Sequence, residues 1–303
     1  MASIEPTSQV LGATVRGVDL SEPLTDSTFA RIVDALGRYG VLCFPGQRLE
    51  SQHLKAFSKR FGSLQTSVTG KFADQTCPEV GLLSNIIEDG EPIGLADAGQ
   101  DWHTDMSYNQ LIGFTNVLYG IKIPHRDGRP LGDTKFANMH AAYEDLPDEL
   151  VERLSGMTGT HDFNKFWDEM RSRPGSNRPA LTPEQKAKRP PAVHPLSLTH
   201  PITGRKVLYA NPGYLIRINE MSEQESDQTI DYLFKHQLQS KYQYTHTWTP
   251  GDVLMWDHIG TLHTAIPDYT ASEHRLIKRC QVMADRIFEA PFMEEIRRNL
   301  LAA

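Results

Sequence analysis

The chain has 303 residues, is 39% hydrophobic and 23% charged, and carries a formal net charge of −7. That acidity argues against nucleic acid as the main partner, which would want a basic face, and no run of about 18 apolar residues is available to span a membrane. Three scattered cysteines, Cys43, Cys77 and Cys280, make neither a disulfide framework nor a CxxC pair, and the start, Met1-Ala2-Ser3-Ile4-Glu5-Pro6, lacks a charged-then-apolar leader pattern. The expectation is a soluble, cytoplasmic protein with a sizeable core.

In chain order, Ala13–Val18 reads as a short strand. From Asp26 the residues Phe29, Ile32, Val33, Leu36 and Tyr39 recur at helical spacing, and Gly40 stops that helix. Val41–Phe44 is a short buried strand that ends at Pro45-Gly46, and a second amphipathic helix is predicted over Ser51–Phe61. Beyond Val80 the pattern turns to strands, at Gly81–Ile86, Thr115–Ile123 and Gly132–Ala137. Asn138 then leads into a helix through Tyr143, and Leu146–Leu150 begins another.

Residues 161–195 are rich in proline and charge with little periodicity, so they are predicted to be a mobile insertion near the active site. Strand-like Lys206–Tyr209, a helix near Ser222–Gln237, Tyr242–Trp248, and strands at Val253–Asp257 and Arg275–Ala284 complete the chain. Many short strands with flanking helices predict one mainly β domain over residues 1–303, with a double-stranded β-helix (jelly-roll) core.

Within this frame His103 and Asp105 stand two residues apart in Trp102-His103-Thr104-Asp105. On a strand they would project from one face and could take adjacent positions on a metal ion. A third ligand is needed, and the segment Gly251–Ala265 offers His258 and His263. Two histidines and one carboxylate with open positions is the facial arrangement of non-haem Fe(II) oxygenases.

The chain resembles the Fe(II)/2-oxoglutarate-dependent taurine and 2,4-dichlorophenoxyacetate dioxygenase family. The matching pieces, in family order, are Gly12–Leu20, Trp102-His103-Thr104-Asp105, Gly132-Asp133-Thr134, His194-Pro195, His200–Arg205, Trp256-Asp257 with His263, and Arg275–Arg279. The resemblance implies His103, Asp105 and His263 as iron ligands, His263 being favoured over His258 by its Leu-His-Thr-Ala setting and its spacing to Arg275. It implies that Arg275 anchors the far carboxylate of 2-oxoglutarate, a role suited to a guanidinium fork, with Thr134 adding a hydroxyl hydrogen bond. Asp257 is expected to orient a ligand imidazole.

Arg279 should share a strand face with Arg275, their Cα atoms roughly 13 Å apart. Two arginines on an inner face need anions. The resemblance implies that the second arginine of the pair can bind an acidic group on the substrate, so Arg279 is assigned there, with an Asp or Glu salt bridge as its alternative. Asn85 and Tyr108 are further candidates for the substrate pocket.

Taurine-specific members carry histidines after the Phe-Gly that closes the second helix and an Asn four residues before the first metal histidine. Here no histidine follows Phe61-Gly62 closely and Gly99 takes the second position. The expected partners are O₂ and a small carboxylate, sulfonate or sulfate, with a homo-oligomer left open. A zinc hydrolase on the same triad and a non-catalytic 2-oxoglutarate or metal sensor are the rival readings.

Overall fold

Two sheets and a layer of helices organise the chain in the computed structural model, which describes residues 2–66, 72–173 and 180–301. Among these residues, the larger sheet runs in the order Ser3–Pro6, Ala13–Arg16, Val41–Phe44, Val253–Asp257, Gly113–Lys122, Leu276–Met283, Cys77–Ser84 and Ala73–Asp74, with Leu64–Gln65 also on Leu276–Met283. Its pairs are antiparallel except Ala13–Arg16 beside Val41–Phe44. A smaller antiparallel sheet places Thr134–Asn138 between Gln243–His246 and Thr261–Ala265.

The central strand Val253–Asp257 is buried on both faces, which explains why Val253–Trp256 reads as a continuous apolar run. Side chains alternate across it. Val117, Val253, Met255, Cys280 and Val282 point to the helices, in one core with Phe29, Ile32, Leu36 and Phe57. Leu118, Leu254, Trp256 and Ile277 point the other way and pack with Phe136 of the smaller sheet. The Phe136 and Trp256 rings lie 5.3 Å apart, edge to face.

The helix Asp26–Tyr39 starts and stops where its sequence directs. The Thr25 hydroxyl accepts from Thr28 N–H, and Gly40 closes the helix at φ 68°, a conformation that costs a residue with a Cβ. The second helix spans Ser51–Lys59, ending two residues short of expectation. A final helix, Ala290–Leu301, has no counterpart in the sequence reading. It buries Phe292, Met293 and Ile296, and its Phe292 ring meets Phe29 at 6.4 Å.

Residues 161–195 correct the expectation of an aperiodic insertion. Asp162 caps a helix over Phe163–Arg171 that buries Phe163, Phe166 and Met170. A short helix, Pro183–Ala187, and a strand, Ala192–Pro195, follow. That strand joins Thr158–His161 and Leu215–Ile218 in a third antiparallel sheet. Phe163, Phe166, Trp167 and Met170 recur at helical spacing after the Asp162 cap, a pattern that the proline- and charge-rich residues around them masked. Residues 174–179 of this segment lie outside the described residues.

Candidate metal centre

His103 and Asp105 are not brought together by a strand, which corrects the expected geometry. His103 makes a single antiparallel bridge to His263, each N–H donating to the other's carbonyl at 3.0 and 2.8 Å. The chain then turns, with Met106 in the left-handed region at φ 62°. His103 Nε2 ends 3.4 Å from Asp105 Oδ1, and the His103 and His263 rings lie 4.2 Å apart. One ligand atom from each of the three residues lies within 4.8 Å of the others, and all three side chains are buried.

The turn is held from outside. Asn211 Nδ2 donates to Thr104 O and Ser107 Oγ at 2.8 and 2.7 Å, while its Oδ1 accepts from the N–H groups of Thr104 and Gly213. His161 Nδ1 lies 3.0 Å from Ser107 Oγ, and His194 Nε2 donates to Asn109 O. His103 Nδ1 lies 2.6 Å from Asp101 O. A carbonyl only accepts, so Nδ1 carries a proton and Nε2 is the nitrogen that faces Asp105.

Asp105 Oδ2 accepts from Asn116 Nδ2 at 2.6 Å and Gln281 Nε2 at 3.2 Å, with Arg279 Nη1 at 3.9 Å. Burial alone would raise this carboxyl, but His103, Arg279 and His263 together hold it well below the usual carboxylate range. Burial, with His103 beside it, pushes His263 well down, so its imidazole is neutral and able to ligate. Asn116 and Gln281 escaped the sequence reading. As neutral amides on strands they carry no motif, and only strand register reveals them.

His258 lies behind the trio. Its Nε2 is 4.0 Å from Asp105 Oδ2 without a hydrogen bond, and burial pushes its pKa down to about 4. Asp257 does not orient a ligand imidazole, contrary to expectation. Alternation sends it to the face opposite Trp256, where Oδ2 accepts from His200 Nε2 at 2.9 Å and from Gly260 N–H, and Oδ1 from Ile259 N–H.

Arg275 is 6% exposed. Its Nη2 donates to Gly132 O at 3.1 Å, Nε has no partner, and the guanidinium lies 6.0 Å from the Trp248 ring and 5.8 Å from that of Tyr269. Gly132, at φ 79°, admits this arrangement because a Cβ there would come within 3.1 Å of Nε. Thr134 Oγ1 accepts from Trp248 Nε1 at 3.0 Å, so one indole touches both expected anchor residues. Tyr269, Asp268 and Asp133 lie close enough to favour the charge, but no carboxylate among the described residues pairs with the guanidinium, so an anion at Nε would complete it.

Tyr108 stands among aromatic rings, 4.8 Å from both Phe163 and Tyr214, and Phe166 and Tyr214 lie 5.7 and 6.4 Å from His103. Asn85 has a different surrounding from the one expected of a pocket residue. Its Nδ2 donates to Thr270 O and Glu273 O and its Oδ1 accepts from Arg275 N–H, so its amide ties down the backbone leading into Arg275.

A mainly β chain that gathers two imidazoles and a carboxylate has the donor set of the non-haem iron oxygenases, and a buried guanidinium stands by as a carboxylate anchor. Residues 3–281 match the family described as taurine catabolism dioxygenase TauD, TfdA family, and the chain belongs to it. It is 32% identical over 289 residues to pentalenolactone F synthase of Streptomyces avermitilis, spanning 91% of this chain and 92% of that protein. It is 28% identical over 293 residues to the alpha-ketoglutarate-dependent 2,4-dichlorophenoxyacetate dioxygenase of Cupriavidus pinatubonensis, spanning 93% and 98%.

Among solved structures, a taurine dioxygenase from Burkholderia xenovorans superposes with a TM-score of 0.74 at 28% identity, covering 94% of this chain and 91% of that one. AAD-2 in complex with Mn(II) and N-oxalylglycine superposes at 0.76 with 25% identity, covering 93% and 97%. The protein is an Fe(II)- and 2-oxoglutarate-dependent dioxygenase, which decides among the three readings drawn from its sequence. No helix among the described residues is long and apolar enough to cross a membrane.

Proposed function

We propose that His103, Asp105 and His263 hold the Fe(II), that Arg275 and Thr134 hold the far carboxylate of 2-oxoglutarate, and that the substrate is a small organic anion met by Arg279. The meeting of three distant, buried donors within 4.8 Å carries the reading. The donor set suits the ion, since Asp105 is kept anionic and the imidazoles are hydrogen-bonded or neutral by burial. When bound, iron and 2-oxoglutarate supply the activation of O₂ that couples formation of succinate and CO₂ to hydroxylation of a C–H bond.

The chain's own residues supply position and exclusion. Asn116 and Gln281 fix the Asp105 carboxylate, Asn211 fixes the turn that presents it, and Asp101 O sets the His103 ring. Tyr108, Phe166 and Tyr214 make an apolar wall beside His103 that keeps water from the reacting carbon. Relatives named for phenoxyacetates and sulfate esters act on organic anions, in keeping with an arginine at Arg279.

We read the two facing sheets as a double-stranded β-helix within one domain over residues 1–303, with 161–195 inserted across the site. A cytoplasmic location follows from the free, scattered cysteines.

Anaerobic addition of Fe(II) and 2-oxoglutarate should give a weak visible charge-transfer band and a rise in melting temperature, and admission of air should release succinate slowly. A screen of carboxylates, sulfonates and sulfates for stimulated succinate release then names the substrate class. Iron-loaded protein without the band would refute the ligand assignment.

A further inference from the structure

A second cluster of donors lies away from the iron centre, where the edge of the smaller sheet meets the larger one. Cys43 sits on Val41–Phe44 directly opposite Leu254, and Asp252 lies two residues before Leu254, so alternation sends both side chains to the inter-sheet face. His246 reaches the same place from the last residue of Gln243–His246. One ligand atom from each of the three lies within 4.8 Å of the others.

We infer that Cys43, His246 and Asp252 form a second metal site, taking a thiophilic divalent cation of the zinc class.

Three features carry this. First, His246 is 7% exposed and its Nε2 has no hydrogen-bond partner, although it lies 3.5 Å from Asp252 Oδ2. A buried ring nitrogen beside a carboxylate without bonding to it is costly to leave so, and a shared cation removes the cost. Second, that 3.5 Å edge is close to what two bonds of about 2.1 Å subtend at a tetrahedral angle. Third, the donor set of one sulfur, one imidazole and one carboxylate selects zinc-like ions over the harder magnesium and calcium.

The iron centre has no sulfur donor, so the two sites prefer different metals. Three protein ligands leave one tetrahedral position for water. Burial and the adjoining Asp252 carboxylate keep the Cys43 thiol protonated when no cation is present. Binding therefore breaks the S–H bond, releases that proton to solvent and forms a sulfur–metal bond, with no change of oxidation state.

The other cysteines serve as internal controls, Cys77 and Cys280 being fully buried while Cys43 is half-buried. Partly exposed, Cys43 is the most accessible of the three thiols, and with its pKa raised it alkylates slowly through a small thiolate fraction, so its labelling is followed over hours.

The site does not depend on the iron assignment, and its test keeps the two apart. In a His103→Ala/His263→Ala background, which silences the triad, Co(II) titration should give a thiolate-to-cobalt charge-transfer band that saturates near one equivalent. Adding Cys43→Ser should abolish it. In the unaltered protein, Zn²⁺ should slow iodoacetamide labelling of Cys43, mapped by mass spectrometry, by about tenfold or more. That second measurement needs no substitution, so a variant that fails to fold does not protect the proposal. Unchanged labelling of Cys43 in excess Zn²⁺, or a cobalt band that survives Cys43→Ser, overturns it.

Discussion

Replacing Arg275 with methionine separates its proposed role in ligand binding from any role in the fold. The guanidinium is 6% exposed and donates one hydrogen bond, to Gly132 O at 3.1 Å, with Nε unsatisfied. In the ligand-free protein the substitution removes a poorly paired buried cation, which stabilises, and strands the Gly132 carbonyl, which costs about 1 kcal/mol. The two nearly cancel, and the ligand-free melting temperature should move by no more than roughly 2 °C for a chain this long.

With 2-oxoglutarate the balance changes. Losing the cation of a buried guanidinium–carboxylate pair costs about 3–5 kcal/mol. At 1.4 kcal/mol per decade this raises the 2-oxoglutarate Kd roughly one hundred- to several thousand-fold. The assay is anaerobic thermal melting with Fe(II) and 2-oxoglutarate at about 100 times the unaltered protein's Kd, where linkage gives that protein about 2.7 kcal/mol. This is a rise of roughly 4 °C, and the variant should show almost none of it. Fe(II) binding itself should be unchanged. A variant that keeps the ligand-induced rise, or that loses iron while keeping 2-oxoglutarate, would refute the anchor.

Asn116→Leu removes the 2.6 Å donor to Asp105 Oδ2 and should weaken Fe(II) binding by about 10- to 100-fold in a direct titration; unchanged affinity would mean that Gln281 alone positions the carboxylate. Arg279→Ala should abolish substrate-stimulated succinate release while leaving the slow substrate-independent release in place, and equal loss of both would place Arg279 with the iron ligands instead. The pH dependence of stability has a definite sign. Burial, helped by His200 and His194 respectively, pushes His140 to about 4 and His161 to about 3 from 6.5, so the unfolded chain binds these protons first. Their contribution is full above about pH 6.5 and is lost as pH falls toward the folded values, with a slope of up to about 1.4 kcal/mol per pH unit for each group. His161→Gln should take one proton's worth from the slope measured by urea melts between pH 6 and 5, and an identical slope would refute the assignment to burial.

The chemistry of the site was legible in the sequence because it rests on rare residue types. His103, Asp105, His263 and Arg275, the residues proposed for iron and 2-oxoglutarate, stand out by their spacing and by the family resemblance, and Gly40 and Asn138 announce the helix boundaries they form. What stayed hidden depends on register or on long-range packing. Asn116, Gln281 and Asn211 are ordinary amides until pairing puts them beside Asp105 and its turn. Asp257 sits next to Trp256 in sequence, yet alternation turns it away from His103, Asp105 and His263 toward His200. The helix Phe163–Arg171 did carry its signal, with Phe163, Phe166, Trp167 and Met170 at helical spacing behind the Asp162 cap, and it was missed because the proline- and charge-rich composition of the surrounding segment was read in its place.

Register is also what makes the site one object rather than two. Gln281 is directly opposite Asn116, and Arg279 directly opposite Leu118, so the two amides converge on one oxygen of Asp105 and Arg279 faces it from the next row. Slipping Leu276–Met283 by one residue would present Cys280 and Val282 in their place and leave Asp105 without its donors. That slip is opposed by the opposite face, where Val117, Cys280 and Val282 are packed beneath the helices. On the smaller sheet, Phe136 opposite His263 does the same work, its ring 5.3 Å from Trp256 across the gap. The hydrophobic faces of the two sheets thus set the positions of the polar residues between them, and Phe136→Ala, which removes the ring stacked on His263, should weaken Fe(II) binding in a direct titration although it replaces none of the proposed ligands.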